Sequence, residues 1–213
     1  MIPLVHDFED ESVLIFGGGS VGARRARLFA SEADVVVVSP EFVDEDFGGA
    51  ELVRAEPGPD DVGSWFEEVE PVLVVAATDD ETLNGAIQQA ARDRHVLCSR
   101  ADTSHGDGGV TIPATVRSDP VVVSISTGAT SPTLSRHLRQ EIESVVEGSG
   151  AMAELLGELR GELQESALSQ TERRDALRTV VNSEDVWKAL DTGGSKPEQV
   201  ARNVLADGTG GSP

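Results

Sequence analysis

The chain has 213 residues, with 17 Lys and Arg against 38 Asp and Glu and a formal net charge of -21. So negative a surface excludes nonspecific nucleic-acid binding, and a single cysteine, Cys98, excludes a disulfide framework or cysteine-only metal cluster. The longest apolar runs, such as residues 72–77, are far short of a bilayer span, and no targeting leader opens the chain, so neither membrane nor export is expected.

Residues 12–16 read as a short strand, followed by Gly17, Gly18 and Gly19 and a helix over residues 21–32. A second buried strand spans 34–39, a third 51–55, and a helix covers 60–69 after a Pro-Gly-Pro turn. Residues 72–77 make a fourth strand, 80–94 a helix with Leu83, Ile87 and Ala90 on one face, and 96–99 a fifth strand. Strands alternating with helices of about a dozen residues predict an α/β fold, a Rossmann-type parallel sheet with both faces covered.

The pattern changes after Arg100. A loop rich in Gly, Ser and Asp spans 102–109, and strand-like stretches at 110–116 and 120–126 flank a turn at Ser118 and Asp119. Thr130 or Ser131 can cap a helix with Pro132 in its first turn, where a missing N–H costs nothing. Leu134, Leu138, Ile142 and Val145 would form its apolar stripe. From Gly148 onward the chain is helical and charged, with breaks near 165–169, Asn182 and Gly193-Gly194. Glu154, Glu158, Glu162 and Glu165 suit a solvated face there, and Leu155, Leu156, Leu159 and Leu163 its buried side.

Two lysines, 38% hydrophobic residues and 4% aromatics accompany the negative charge. That combination indicates adaptation to high salt rather than disorder: at about 1 M the Debye length falls to about 3 Å and screens self-repulsion.

Gly17-Gly18-Gly19-Ser20-Val21-Gly22 has the GxGxxG spacing between strand and helix. Gly17 permits the tight turn, Gly19 lets a pyrophosphate approach the backbone, and Gly22 lets helix and strand pack closely. Free N–H groups at Ser20 and Val21 add partial positive charge. Ser39 stands where a ribose-binding acid is expected, so the Ser39 hydroxyl, Glu41 and the adjoining Phe42 are the candidates there. Glu41 is equally explained as a solvated loop carboxylate. No arginine follows this strand end within several residues, which favours NAD over NADP. Thr78, at the end of the fourth strand in Ala76-Ala77-Thr78-Asp79-Asp80, suits a ligand crevice, although Thr78 and Asp80 can equally cap the helix that carries Asn84.

Taken together, residues 13–25, the Ala76–Asp80 motif with Asn84, and Thr127-Gly128-Ala129-Thr130-Ser131-Pro132 with Leu134, Arg136 and Leu138-Arg139 resemble the precorrin-2 dehydrogenase family. Many of its members double as sirohydrochlorin ferrochelatases. The resemblance covers residues 1 to 145 well and the rest in general character. It implies a Rossmann domain over 1–112, a small α+β dimerisation region over 113–147 and a helical domain over 148–207, with 208–213 a disordered tail. It implies a homodimer, NAD as cofactor, and precorrin-2 and sirohydrochlorin as substrate and product. Within these 213 residues no methyltransferase domain of the kind fused to some relatives is expected.

The family's key carboxylate matches Asp102, which would accept a proton or position substrate. A turn residue is the plainer reading of the same aspartate. No His, Cys and carboxylate spacing marks a stable metal site, so Fe²⁺ would pass through as a substrate. The loop over 103–109 departs from the family pattern; its His105 would be a second proton acceptor, a transient iron ligand or simply an exposed loop residue. His6, His95 and His137 have no expected role.

A tetrapyrrole rimmed with carboxylates needs cations in so acidic a protein. Arg100, Arg136 and Arg139 are the candidate substrate contacts, with Thr127 beside them in a turn that offers donors. Some relatives carry a phosphorylatable serine at the Thr127 position. The plainer alternative for the arginines is helical pairing, such as Arg139 with Glu143. Arg24 and Arg25 share the first helix with Arg27, for which pairing is expected. A nucleotide-sensing Rossmann module without catalysis is the competing function; it needs no base and no substrate cations. A non-catalytic dimer partner is a third.

Overall fold

The computed structural model describes residues 2–102, 109–128, 130–192 and 196–209. It divides into two compact units, Met1–Ile112 and Pro113–Pro213.

In the first unit, strands β1 (Ser12–Phe16), β2 (Asp34–Ser39), β3 (Glu51–Arg54), β4 (Leu73–Ala76) and β5 (Leu97–Arg100) form one parallel sheet. Their order is β3-β2-β1-β4-β5. The central strands are apolar on both sides because helices cover both faces. Helix α1 (Ser20–Phe29) places Ala23, Ala26 and Phe29 against Val13, Ile15, Val37 and Val75. On the other face, α2 (Val62–Val69) and α3 (Glu81–Arg94) bring Val62, Phe66, Leu83 and Ile87 against Leu14, Phe16 and Val74.

The boundaries differ from the predicted ones where a turn intervenes. Helix α1 stops at Phe29, whose carbonyl accepts from Glu32 and Ala33 as the chain turns into β2. Residues 59–61 form a tight 3₁₀ turn ahead of α2. The predicted strand at 110–116 starts only at Ala114: Val110 donates to the Cys98 carbonyl, and Ile112 packs on the first unit's core.

The second unit opens with a hairpin of β6 (Ala114–Ser118) and β7 (Val121–Ile125). Ser131 caps α4 (Pro132–Val146) by accepting from the Leu134 N–H. The stripe on α4 is shifted from expectation. Leu138, Ile142 and Val146 pack on the hairpin, while Leu134 and Val145 are 46% and 77% exposed. Helices α5 (Ser149–Gln164), α6 (Gln170–Val181), α7 (Glu184–Thr192) and α8 (Pro197–Thr209) enclose a core of Met152, Leu155, Leu159, Val180, Val186 and Ala201. Gly208 and Thr209, expected in a tail, continue α8; residues 210–213 and the Gly193-Gly194 break lie outside the described residues. No described helix is long and apolar enough to cross a membrane.

Candidate active site

The carboxyl ends of β1, β4 and β5 lie side by side, and the loops that leave them build the site. Gly17 follows β1 at φ 119, and a Cβ there would lie 2.3 Å from the Ala77 carbonyl oxygen. A Cβ on Gly22 would lie 1.9 Å from the Gly17 carbonyl oxygen, so helix and strand meet at a distance only glycine allows. Gly19 is the N-cap of α1, and nothing lies within 4 Å of where its Cβ would be. The first turn of α1 carries no acidic residue, and its leading N–H groups lack intrahelical acceptors. Open space above free amides fits a pyrophosphate.

On the β2 side, Ser39 is buried and its Oγ donates to the Glu41 carbonyl at 2.7 Å. The hydroxyl proton is thereby committed to the turn. The Glu41 carboxylate is exposed, and Phe42 packs edge-on against Phe47 at 5.6 Å. Arg54 ends β3 directly opposite Ser39, with its guanidinium 5.9 Å from the Phe42 ring. Counting residues along β2 missed this arginine, because it arrives from the neighbouring strand.

On the β4 side a buried polar network replaces the simple cap. Asp80 does cap α3, accepting from Thr82 and Leu83. Thr78 Oγ1 donates to Asn84 Oδ1 at 2.7 Å, and Asn84 is wholly buried. Asn84 Nδ2 donates in turn to the Thr78 carbonyl at 2.9 Å and to Asp102 Oδ2 at 3.1 Å. Asp102 follows β5, whose exit is fixed by the Ala101 N–H on the Ala76 carbonyl.

Arg100 grips Asp102 with two parallel bonds, Nε to Oδ1 at 2.9 Å and Nη2 to Oδ2 at 2.6 Å. Its Nη1 donates to Gln88 Oε1 at 3.1 Å. Expected as a contact for substrate, Arg100 is here paired with the Asp102 carboxylate. The Arg100 fork, helped by Asn84 and opposed by partial burial, holds the Asp102 carboxyl below the usual carboxylate range. The same bond raises the Arg100 pKa. Both groups are charged at neutral pH. Gln88 escaped sequence reasoning, although it lies one turn beyond Asn84 on α3 and so shares its face. Burial pushes the Cys98 thiol up to about 11, which leaves it neutral and unsuited to nucleophilic work.

Other candidates lie elsewhere. Arg27 donates to the Asp46 carbonyl and pairs with Glu45 at 3.5 Å, so its partners come from the loop after β2 and not from its own helix as expected. In the second unit Thr127 Oγ1 donates to the Ser131 carbonyl at 3.1 Å and lies 2.9 Å from Ser135 Oγ. Arg136 is exposed on α4, and Arg139 lies 3.5 Å from Glu143. A cavity of about 550 Å³ between β6 and α4 has Arg117, Glu143 and Glu147 in its wall, a balance that does not suit a polyanion. His6 packs on Phe8, His95 closes α3 in a left-handed conformation, and His137 is exposed. His105 lies outside the described residues. Among the described residues no cluster of three or more His, Cys, Asp or Glu is arranged to hold a metal.

Comparison with known proteins agrees with this geometry. A family model described as "Putative NAD(P)-binding" matches residues 4–114. A precorrin-2 dehydrogenase of Methanosarcina barkeri is 33% identical, over 96% of this chain and 93% of that protein. A siroheme synthase of Escherichia coli O157:H7 is 31% identical over 81% of this chain, which spans only 38% of the larger protein. The solved structure of SirC, a precorrin-2 dehydrogenase, shares the fold with a TM-score of 0.71 at 23% identity, covering 97% of this chain and all of that one. A parallel five-stranded sheet with a glycine cradle, followed by a small hairpin and a helical region, is thus joined to a near full-length relative: the chain belongs to the precorrin-2 dehydrogenase family.

Proposed function

We propose that this chain oxidises precorrin-2 to sirohydrochlorin with NAD, on the route to sirohaem, as a cytoplasmic homodimer. The observation that carries the reading is Asp102, held ionised at the carboxyl end of β5, on the same sheet edge as the glycine cradle that follows β1 with only β4 between them. A nucleotide sensor would need the cradle but no such carboxylate.

Oxidation removes a hydride and a proton from the reduced macrocycle. NAD, when bound, supplies the hydride acceptor. Gly19, Ser20 and Val21 would hold its pyrophosphate on free amides, Gly17 and Gly22 shape that cradle, and Ser39, Glu41 and Phe42 border the adenosine end. Thr78, just past the end of β4 with its hydroxyl fixed by Asn84, would border the nicotinamide end through its backbone. Asp102 receives the proton at a carboxylate oxygen, oriented by Arg100 and Asn84. A substrate carboxylate that engages the Arg100 guanidinium would loosen its grip on Asp102 and make the base stronger on substrate arrival. Arg136, Arg139 and Thr127 would serve further carboxylates of the rim. The dimer reading is supported by the exposed Leu134 and Val145 of α4 and by Val122 of the hairpin.

Anaerobic incubation of the folded chain with precorrin-2 and NAD tests the function: NADH and the sirohydrochlorin absorption appear together, and no turnover contradicts it. Asp102 could also receive the pyrrole protons released as Fe²⁺ enters sirohydrochlorin. Faster metal insertion with protein than without supports that second step, and equal rates dismiss it. The net charge of -21 supports a protein that works in high salt. Equal stability by circular dichroism in low and multimolar KCl would overturn the salt reading.

A further inference from the structure

The adenosine side of the cradle carries a cation that oxidation with NAD does not require. Strands β2 and β3 run parallel, and Ser39 and Arg54 are their last paired residues. Arg54 therefore stands at the carboxyl ends of the strands, where open α/β sheets take their ligands. The turn after Ser39 abuts the glycine loop. A Cβ on Gly18 would lie 2.2 Å from the Glu41 carbonyl oxygen, 2.8 Å from the Phe42 ring and 2.9 Å from Ser39 Cβ. The Val43 N–H also donates to the Gly18 carbonyl at 3.0 Å. A ribose leading away from a pyrophosphate on this loop meets that turn first.

The strand end itself holds a neutral serine, where a carboxylate would repel phosphate. Arg54 is exposed, and the Phe42 face holds its guanidinium at 5.9 Å. Among the described residues Arg54 forms no ion pair, although 38 acidic residues surround 17 cations. By contrast, Arg27, Arg100, Arg139, Arg178 and Arg202 each pair with a carboxylate. An unpaired guanidinium fork on an aromatic face at this position matches a phosphate better than a ribose hydroxyl.

We propose that Arg54, seated on Phe42 opposite Ser39, admits a 2′-phosphate to this cradle, so that the chain binds NADP as well as NAD. The proposal rests on the nucleotide site described above. Glu41 is the counterweight: its exposed carboxylate suits a free 2′-hydroxyl and opposes the phosphate. One cradle thus carries a determinant for each dinucleotide.

Calorimetric titration of the intact chain with NAD and with NADP, without tetrapyrrole and at the lowest KCl that keeps it folded, tests this directly. The wild type binds both. Arg54→Met, which keeps an apolar stem against Phe42, weakens NADP relative to NAD by roughly tenfold. NAD bound and NADP refused by the wild type overturns the proposal while leaving the dehydrogenase reading intact. An unchanged NADP to NAD ratio in Arg54→Met also overturns it. Binding of neither dinucleotide overturns the cradle and this proposal together.

Discussion

Arg100 and Arg139 are the same side chain in opposite circumstances. Arg100 leaves the end of a sheet strand, is 15% exposed, and grips Asp102 with two bonds while holding Gln88 with a third nitrogen. Arg139 lies on the outer surface of α4, is 46% exposed, and reaches one glutamate at 3.5 Å. The first geometry is built from β5, the segment that leaves it and two turns of α3, so the charge is fixed in place. The second is a local helical pair that water and salt can dissolve. An arginine's usefulness to a polyanionic substrate therefore depends less on its count than on what already holds it. In the proposed reaction Arg100 would act through the carboxylate it grips, whereas Arg139 would have to leave its local pair with Glu143 to meet a ligand.

Replacing these groups should separate the two cases sharply. Arg100→Met removes the fork that orients Asp102, and dehydrogenation should fall roughly a hundredfold, because misplacement of a reacting group is that costly. A loss no greater than that of Arg139→Met, measured by NADH formation, would erase the distinction. Asn84→Ala leaves Thr78 and Asp102 short of a partner inside the unit, and urea unfolding should register a loss of about 2 kcal/mol. Acid should act on the first pair as well. The folded pKa of Asp102 is lowered, so its contribution to stability is complete above the ordinary aspartate value of about 4 and fades as pH falls through the lowered one. That fading should vanish in Arg100→Met. Arg139→Gln should cost under about 0.5 kcal/mol, as exposed helical pairs do, and should show itself instead as a raised KM for the tetrapyrrole.

Much of the first unit was legible in the sequence because its signals are local. Val-rich runs, the GxGxxG spacing and the α3 periodicity each depend on residues within one strand, one loop or two turns of a single helix. For that reason β1 and β2 begin and end where their sequence pattern predicts. What escaped depends on pairing across strands. Arg54 is fifteen residues beyond Ser39 in the chain yet opposite it in the sheet. The bond from Asn84 to Asp102 likewise joins a helix to the exit of a later strand. On α4 the stripe is displaced because Val145 and Val146 stand three and four residues after Ile142, and either spacing continues a helical stripe. The hairpin, through Val116 and Ile125, selects Val146.

The most direct test is a single-turnover comparison of the wild type and Asp102→Asn, with NAD affinity measured on the same samples. Asparagine can keep the bond from Asn84 but cannot hold a proton as a carboxylate does. The expected result is a fall in precorrin-2 oxidation of roughly two orders of magnitude at unchanged NAD affinity. Full activity in Asp102→Asn would contradict the role assigned to this carboxylate.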